Sequence, residues 1–329
     1  MKPTGQTKPE PAKQQSGRPA QAPPAEIRKH YFLDRYVVIA PKRQLRPDSF
    51  VDDKSLHKSE TAHSPAIERD PAVYQMKDAS GRWQVKVVSN AFPALSLDNP
   101  KAYGKQEVVI ETPKHNVEFS ELPVEQIERV FQCYIARARE LTKLPGIKYV
   151  SVFKNDGPKA GASIAHAHSQ IVAWPLVPPD VEAEARVVNA YHTTHGTCAH
   201  CDVISWEQRQ KVRIIFEDEH IVAVSPYATR VPFGAWLMPK IHRPNFAQLT
   251  QAERRSLAVI LKKMTASLDE SKISFNFFLQ NSLPQYQHHF VLRLEPRVTI
   301  WAGGEFSTGI VFNPVSPEYA AGWSQENEK

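Results

Sequence analysis

Apolar residues along this chain trace the same order of strands and helices twice. Residues 1–25 lack such patterning. Pro, Gln, Lys and Ala dominate there, too apolar-poor to offset ordering entropy, and a disordered tail is expected. Order is expected from Tyr31-Phe32-Leu33, with a strand at Tyr36-Val37-Val38-Ile39-Ala40. Residues 48–72 are polar and read as an irregular loop. Strands are expected at Trp83 to Val88 and Glu107 to Glu111. Ile127, Val130, Phe131, Tyr134, Ile135, Ala138 and Leu141 recur at helical spacing, so a helix is expected from Pro123 to Lys143, stopped by Pro145-Gly146. Strands at Tyr149 to Phe153 and His168 to Ala173 follow, then a helix and linker within 180–196.

The second pass has strands at Val212 to Phe216, His220 to Ser225 and Ala235 to Met238. The capping box Thr250-Gln251-Ala252-Glu253 opens a helix carrying Leu257, Ile260, Leu261, Met264 and Leu268. Strands at Ser274 to Gln280 and His289 to Leu294 complete it. Three marks repeat at nearly constant offset: His115 with His242, Asn155 with Asn281, and His166 with His288. The pattern reads as an internal duplication, an α+β chain of two halves, each an antiparallel sheet with a packed helix. The halves are placed at 26–190, the N-terminal catalytic half, and 191–325. This alignment sets Phe290 opposite His168, so one catalytic half per chain is expected.

Composition narrows the class. Of 329 residues, 41% are hydrophobic and 23% charged, as in globular chains. No apolar run approaches the roughly 20 residues that span a bilayer, and the polar N-terminus carries no secretory signal. A cytoplasmic protein without membrane contact is expected. The net charge of +6 suits phosphorylated ligands. No Lys/Arg block interleaves with aromatics, so nucleic acid is not the expected partner.

The chemistry concentrates at His166-Ala167-His168-Ser169-Gln170, preceded by Asn155-Asp156-Gly157-Pro158-Lys159-Ala160-Gly161-Ala162-Ser163. On an extended segment His166, His168 and Gln170 share a face. The glycines let backbone N–H groups approach an anion. A pair of surface histidines on an edge strand is the plain alternative. A second cluster is Cys198-Ala199-His200-Cys201 with His242 and His288, four ligands suited to tetrahedral zinc. A free thiol pair is the alternative there, and His192, His195 or His200 are substitute ligands. Cys133 falls on the helical pattern as a small core residue.

The His-x-His-x-Gln segment resembles the histidine-triad superfamily and, within it, the galactose-1-phosphate uridylyltransferase branch. The resemblance extends over residues from about 30 to 322. It implies that His168 attacks an α-phosphorus, with His166 and Gln170 beside it. A neutral Gln amide holds a phosphoryl oxygen without offering a proton, whereas the superfamily's hydrolases place a third His there. It further implies Arg43 and Arg46 near the nucleotide-sugar, Asn90 near base and ribose, Asn155, Gly161 and Ser163 at the phosphates, and Glu305 at the sugar hydroxyls. A homodimer is implied as well. The family often places Cys-x-x-Cys in the loop after the arginines, joining the equivalents of His115 and His166 around a metal. Here Val51-Asp52-Asp53-Lys54-Ser55-Leu56-His57-Lys58-Ser59-Glu60 has no cysteine, and with His57, His63 or a carboxylate as the remaining donors a first-half metal at His115 and His166 is disfavoured.

The expected activity is uridylyl transfer between UDP-glucose and a hexose-1-phosphate such as galactose-1-phosphate, through a uridylyl-histidine, in galactose and carbohydrate metabolism. Two alternatives stand beside it. One is a nucleotide-sugar or dinucleotide phosphorylase, with ADP-glucose as one substrate, suggested by Ser169 where the transferases often have Gly. The other is a zinc-stabilised nucleotide-binding protein without turnover.

Overall fold

The computed structural model describes residues 23–45, 70–162, 166–286 and 288–326. The tail expected over 1–25 therefore lies, up to residue 22, outside the described residues, as does the loop expected over 48–72 up to residue 69. A small sheet opens the described chain: β1 (Glu26–Lys29) pairs with β2 (Tyr36–Ile39), which later receives β13 (Val311–Asn313) in parallel. Regular structure thus begins at Glu26, ahead of the expected start at Tyr31. The strand is exposed except at Arg28, so it carries no apolar signature.

The first half supplies β3 (Ala72–Lys77), β4 (Trp83–Ser89), β5 (Lys105–Ile110), β6 (Tyr149–Asp156) and β7 (His168–Trp174). The second supplies β8 (Ile214–Glu217), β9 (Ile221–Val224), β10 (Ala235–Pro239), β11 (Phe275–Gln280) and β12 (Val291–Pro296). Together they form one ten-stranded antiparallel sheet in the order β3-β4-β5-β7-β6-β11-β12-β10-β9-β8. The order reads the same from either edge if each strand is exchanged for its repeat, which is the architectural form of the duplication. The seam is β6 against β11, with Lys154 opposite Phe277 and Val152 opposite Leu279.

Helix α1 (Val124–Leu141) connects β5 to β6. Between the halves run α2 (Pro179–His195) and α3 (Ala199–Gln210); α4 (Gln251–Glu270) connects β10 to β11. The chain ends in α5 (Gly303–Thr308) and α6 (Pro317–Glu326). The capping box read at Thr250 forms: Thr250 Oγ1 accepts from Glu253 N at 3.2 Å, and Glu253 Oε2 accepts from Thr250 N at 2.6 Å. Helices α1 and α4 lie on one face of the sheet and bury Ile127, Val130, Phe131, Leu257, Ile260 and Leu261 against it. Strand alternation then sorts the histidine segment. Ile171 and Ala173 enter this core while Ser169 meets Tyr134 of α1, so His168 and Gln170 point to the opposite face. Among the described residues no helix is long and apolar enough to cross a membrane.

Gly157 shows how tightly the loop after β6 is seated. Its φ is +85°, and a Cβ there would lie 2.1 Å from Ser274 Oγ and 2.8 Å from Ser274 Cβ. Gly81 has a similar φ of +81° but open space around it. Gly157→Ala should therefore combine left-handed strain with overpacking and cost roughly 2–4 kcal/mol, whereas Gly81→Ala should cost about 1 kcal/mol. Urea unfolding of the two variants checks the difference.

Candidate active site

The loop from β6 to β7 leaves the sheet at Gly157 and makes one 3-10 turn, Pro158–Ala160, ended by Gly161 at φ +85°. Asn276 of β11 ties it down: its Nδ2 donates to Asn155 Oδ1 at 2.8 Å and to Ala160 O at 2.9 Å. Arg297 donates to Asn276 Oδ1. Asn155 and Gly161 thus meet at this loop, while Ser163 lies outside the described residues.

Two residues into the histidine segment, His168 Nδ1 lies 2.9 Å from the carbonyl oxygen of His166. A carbonyl only accepts, so Nδ1 carries the proton and Nε2 keeps its lone pair. Among the described residues no hydrogen bond engages Nε2. The ring is only 5% exposed. Burial, and after it the charge of Lys154, push its pKa below the ordinary histidine value, so the neutral nucleophilic form prevails at neutral pH. His166 is itself braced. Its Nε2 is 2.6 Å from the Thr112 carbonyl and its Nδ1 is 3.4 Å from Nδ1 of exposed His115. The two first-half histidines are therefore together, with no third His, Cys, Asp or Glu completing a metal-sized cluster among the described residues. His57 and His63 lie outside them.

The second cluster sits at the start of α3. Ligand atoms of Cys198, Cys201 and His242 lie within 4.8 Å of one another, close enough for one metal ion. Cys201 Sγ is 3.4 Å from His242 Nδ1 and 3.9 Å from His289 Nδ1. His288, the residue expected here, turns the other way: its Nε2 is 3.2 Å from the Asn281 carbonyl and its Nδ1 is 3.4 Å from Ser282 Oγ. His289 repeats the posture of His166, with Nε2 2.8 Å from the Pro239 carbonyl beside His242. The physical reason is strand alternation. Phe290 enters the core beneath the helices, so Val291 shares the face that His168 occupies in the first half. The residue opposite His168 is therefore Val291, not Phe290. The two thiols share a proton: the hydrogen bond from Cys201 holds Cys198 far below the ordinary thiol range and leaves Cys201 far above it. Burial holds His289 down to about 3 and hence neutral. His192 and His195 lie apart on α2, bonded to the Thr197 and Tyr191 carbonyls, and His200 is buried 3.4 Å from Glu184.

Comparison with known proteins decides the family. The model for galactose-1-phosphate uridyl transferase, N-terminal domain, matches residues 73–178, and that for the C-terminal domain matches 184–323. ADP-glucose phosphorylase of Arabidopsis thaliana is 30% identical, over 90% of this chain and 91% of its own. The chain belongs to the galactose-1-phosphate uridylyltransferase family. The Thermotoga maritima galactose-1-phosphate uridylyltransferase is 26% identical over 92% of this chain and 98% of its own. A crystal structure of the Arabidopsis phosphorylase with bound ADP-glucose superposes with a TM-score of 0.79 at 29% identity, covering 92% of this chain and 98% of that one. This family member is thus an enzyme of the uridylyltransferase or phosphorylase type.

The remaining expected residues within the described chain make local contacts. Arg43 lies over the Phe312 ring at 5.0 Å, and Arg46 is outside the described residues. Asn90 is half-buried, its Oδ1 accepting from Phe92 N at 2.8 Å. Glu305 is buried inside α5, where Oε2 accepts from Ala302 N at 3.0 Å, so one of its oxygens serves the helix start. Sequence reasoning passed over Lys154, Glu111 and Tyr134, which meet beneath His168. The signal was present: Lys154 continues the inward alternation of Val150 and Val152.

Two outcomes follow from this geometry. Elemental analysis should find about one bound metal per chain, lost in His289→Ala and Cys198→Ser and retained in His288→Ala. Because the His168 pKa is lowered, the acid limb of the reaction with nucleotide-sugar should fall below pH 6.5; rates measured between pH 4.5 and 8 check the sign.

Proposed function

We propose that this enzyme transfers the nucleotidyl group of a nucleoside-diphosphate-hexose to an oxyanion acceptor through a nucleotidyl-histidine at His168. The observation that carries the reading is the 2.9 Å contact of Nδ1 with the His166 carbonyl, which leaves Nε2 as a fixed, neutral nucleophile beside Gln170. Nε2 attacks the α-phosphorus, the bond to the hexose-1-phosphate oxygen breaks, and hexose-1-phosphate leaves with the electron pair. An acceptor oxygen then attacks the same phosphorus and the N–P bond breaks. Gln170 holds a phosphoryl oxygen but supplies no proton, so the intermediate waits for its acceptor. Loop amides at Gly161 and the side chains of Asn155 and Ser163 would stabilise charge on the phosphate oxygens.

For the acceptor we favour inorganic phosphate, with ADP-glucose as donor, ahead of the uridylyl transfer expected at first. The support is the likeness to ADP-glucose phosphorylase along 90% of the chain. Uridylyl transfer to galactose-1-phosphate is the second reading, supported by the Thermotoga maritima relative. The metal at Cys198, Cys201, His242 and His289 we assign as zinc, a structural ion suited to thiolate and imidazole donors, far along the chain from the nucleophile.

Incubation with ADP-glucose or UDP-glucose alone should add the mass of the corresponding nucleoside monophosphate, and His168→Asn should abolish the gain. Adding phosphate or galactose-1-phosphate to the isolated adduct identifies the acceptor by which one discharges it. No adduct with any nucleotide-sugar in folded protein would sink the reading.

A further inference from the structure

Beneath the nucleophile, on the helix side of the sheet, lies a buried polar chain. Lys154 Nζ donates to Glu111 Oε2 at 2.9 Å and to the backbone oxygen of His168 at 2.9 Å. Asp156 Oδ2 is 3.8 Å away, and the Phe119 ring centre is 5.3 Å away. Glu111 Oε1 is 3.3 Å from the Tyr134 hydroxyl, which lies 2.7 Å from Ser169 Oγ. Lys154 is 1% exposed, and Glu111 and Ser169 not at all. A lysine so deep needs its charge met, and two hydrogen bonds and two nearby carboxylates meet it. Two consecutive residues, the nucleophile and its successor, are thereby gripped from the face opposite the substrate.

The second half shows that the sheet can be built without such a grip. Its inward positions on β10, β11 and β12 are Ala235, Leu237, Phe275, Phe277, Leu279, Leu292 and Leu294, with Phe290 just before β12, all in the apolar core. Charge beneath the central strands occurs in the half that carries His168. Replacing a buried ion pair by apolar groups is often neutral or stabilising, so stability alone does not call for this pair.

We propose that Lys154 is a positioning residue for nucleotidyl transfer: anchored by Glu111, it fixes the His168 carbonyl while Tyr134 fixes Ser169, so that Nε2 is held on the line of attack. The proposal rests on His168 being the nucleophile. It also gives Ser169 a role that needs no substrate contact, since its side chain faces α1.

Single-turnover adduct formation from ADP-glucose and UDP-glucose, followed by rapid quench and intact mass, separates maximal rate from donor half-saturation. The double variant Glu111→Gln/Lys154→Met removes both charges, avoiding an unpaired one. It should slow the maximal rate about 100-fold while half-saturation changes less than about 3-fold, the mark of lost alignment rather than lost binding. Lys154→Arg, which keeps a charged donor, should recover to within about 10-fold of wild type. Tyr134→Phe and Ser169→Ala should each cost about 5-fold in rate. Circular dichroism and thermal melting check folding. A folded double variant with the wild-type rate overturns the proposal. If that variant does not fold, Tyr134→Phe and Ser169→Ala decide, and wild-type rates in both overturn it. Wild-type protein that forms no adduct removes the nucleophile reading and this proposal together; an adduct in wild type with insensitive variants removes the proposal alone.

Discussion

The hydrogen bond from His168 Nδ1 to the His166 carbonyl, 2.9 Å long, sets the terms for the rest of the site. An imidazole has two nitrogens and, when neutral, one proton. Fixing the proton on one nitrogen commits the lone pair to the other. The bond forms because residues two apart on an extended chain lie on one face, and because the loop after β6 brings the chain into β7 with His166 already seated against the Thr112 carbonyl. Burial then keeps the ring neutral, with the Lys154 charge acting in the same direction. Tautomer, protonation state and aim therefore arise from one short stretch of backbone and what lies under it.

The duplicated sheet makes that stretch rigid. Strand β7 is flanked on both sides, by β5 with Ile110 opposite His168 and by β6 with Phe153 opposite Gln170. The nucleophile begins a central strand, whose position in the sheet is set by ladders on both edges. The seam of β6 and β11 carries Asn276 across to Asn155 and Ala160, so the second half reaches into the loop that follows β6 in the first. One half holds His168, and its repeat helps to hold the loop that precedes it.

Much of this was legible in the residues. The α+β order, the two crossover helices, the capping box at Thr250 and the His-x-His-x-Gln strand follow from period and spacing, because each rests on local rules. The failures came where a one-residue choice or a distant contact decides. His288 and His289 are adjacent, and which one meets Cys201 depends on which face of β12 looks toward α3; an offset counted along the chain does not carry that information. Helix α3 was missed because few of its residues are buried, Ile204 among them, so no apolar stripe runs along it. The short helix whose start Glu305 serves was not legible because it begins at Gly303, a poor helix former.

The two halves solve the same mechanical problem by different chemistry. Each must hold a histidine against a loop carbonyl at the mouth of a strand: His166 on Thr112, His289 on Pro239. In the second half the thiols of Cys198 and Cys201 and the imidazole of His242 stand beside that histidine, close enough together for one ion. In the first half cysteines are absent from the corresponding loop sequence, and the described residues offer His115 alone beside His166. There the strand mouth is secured from below, by the Glu111–Lys154 pair and the Tyr134–Ser169 contact. That buried ion pair meets the backbone oxygen of His168 directly, from the helix side of the sheet.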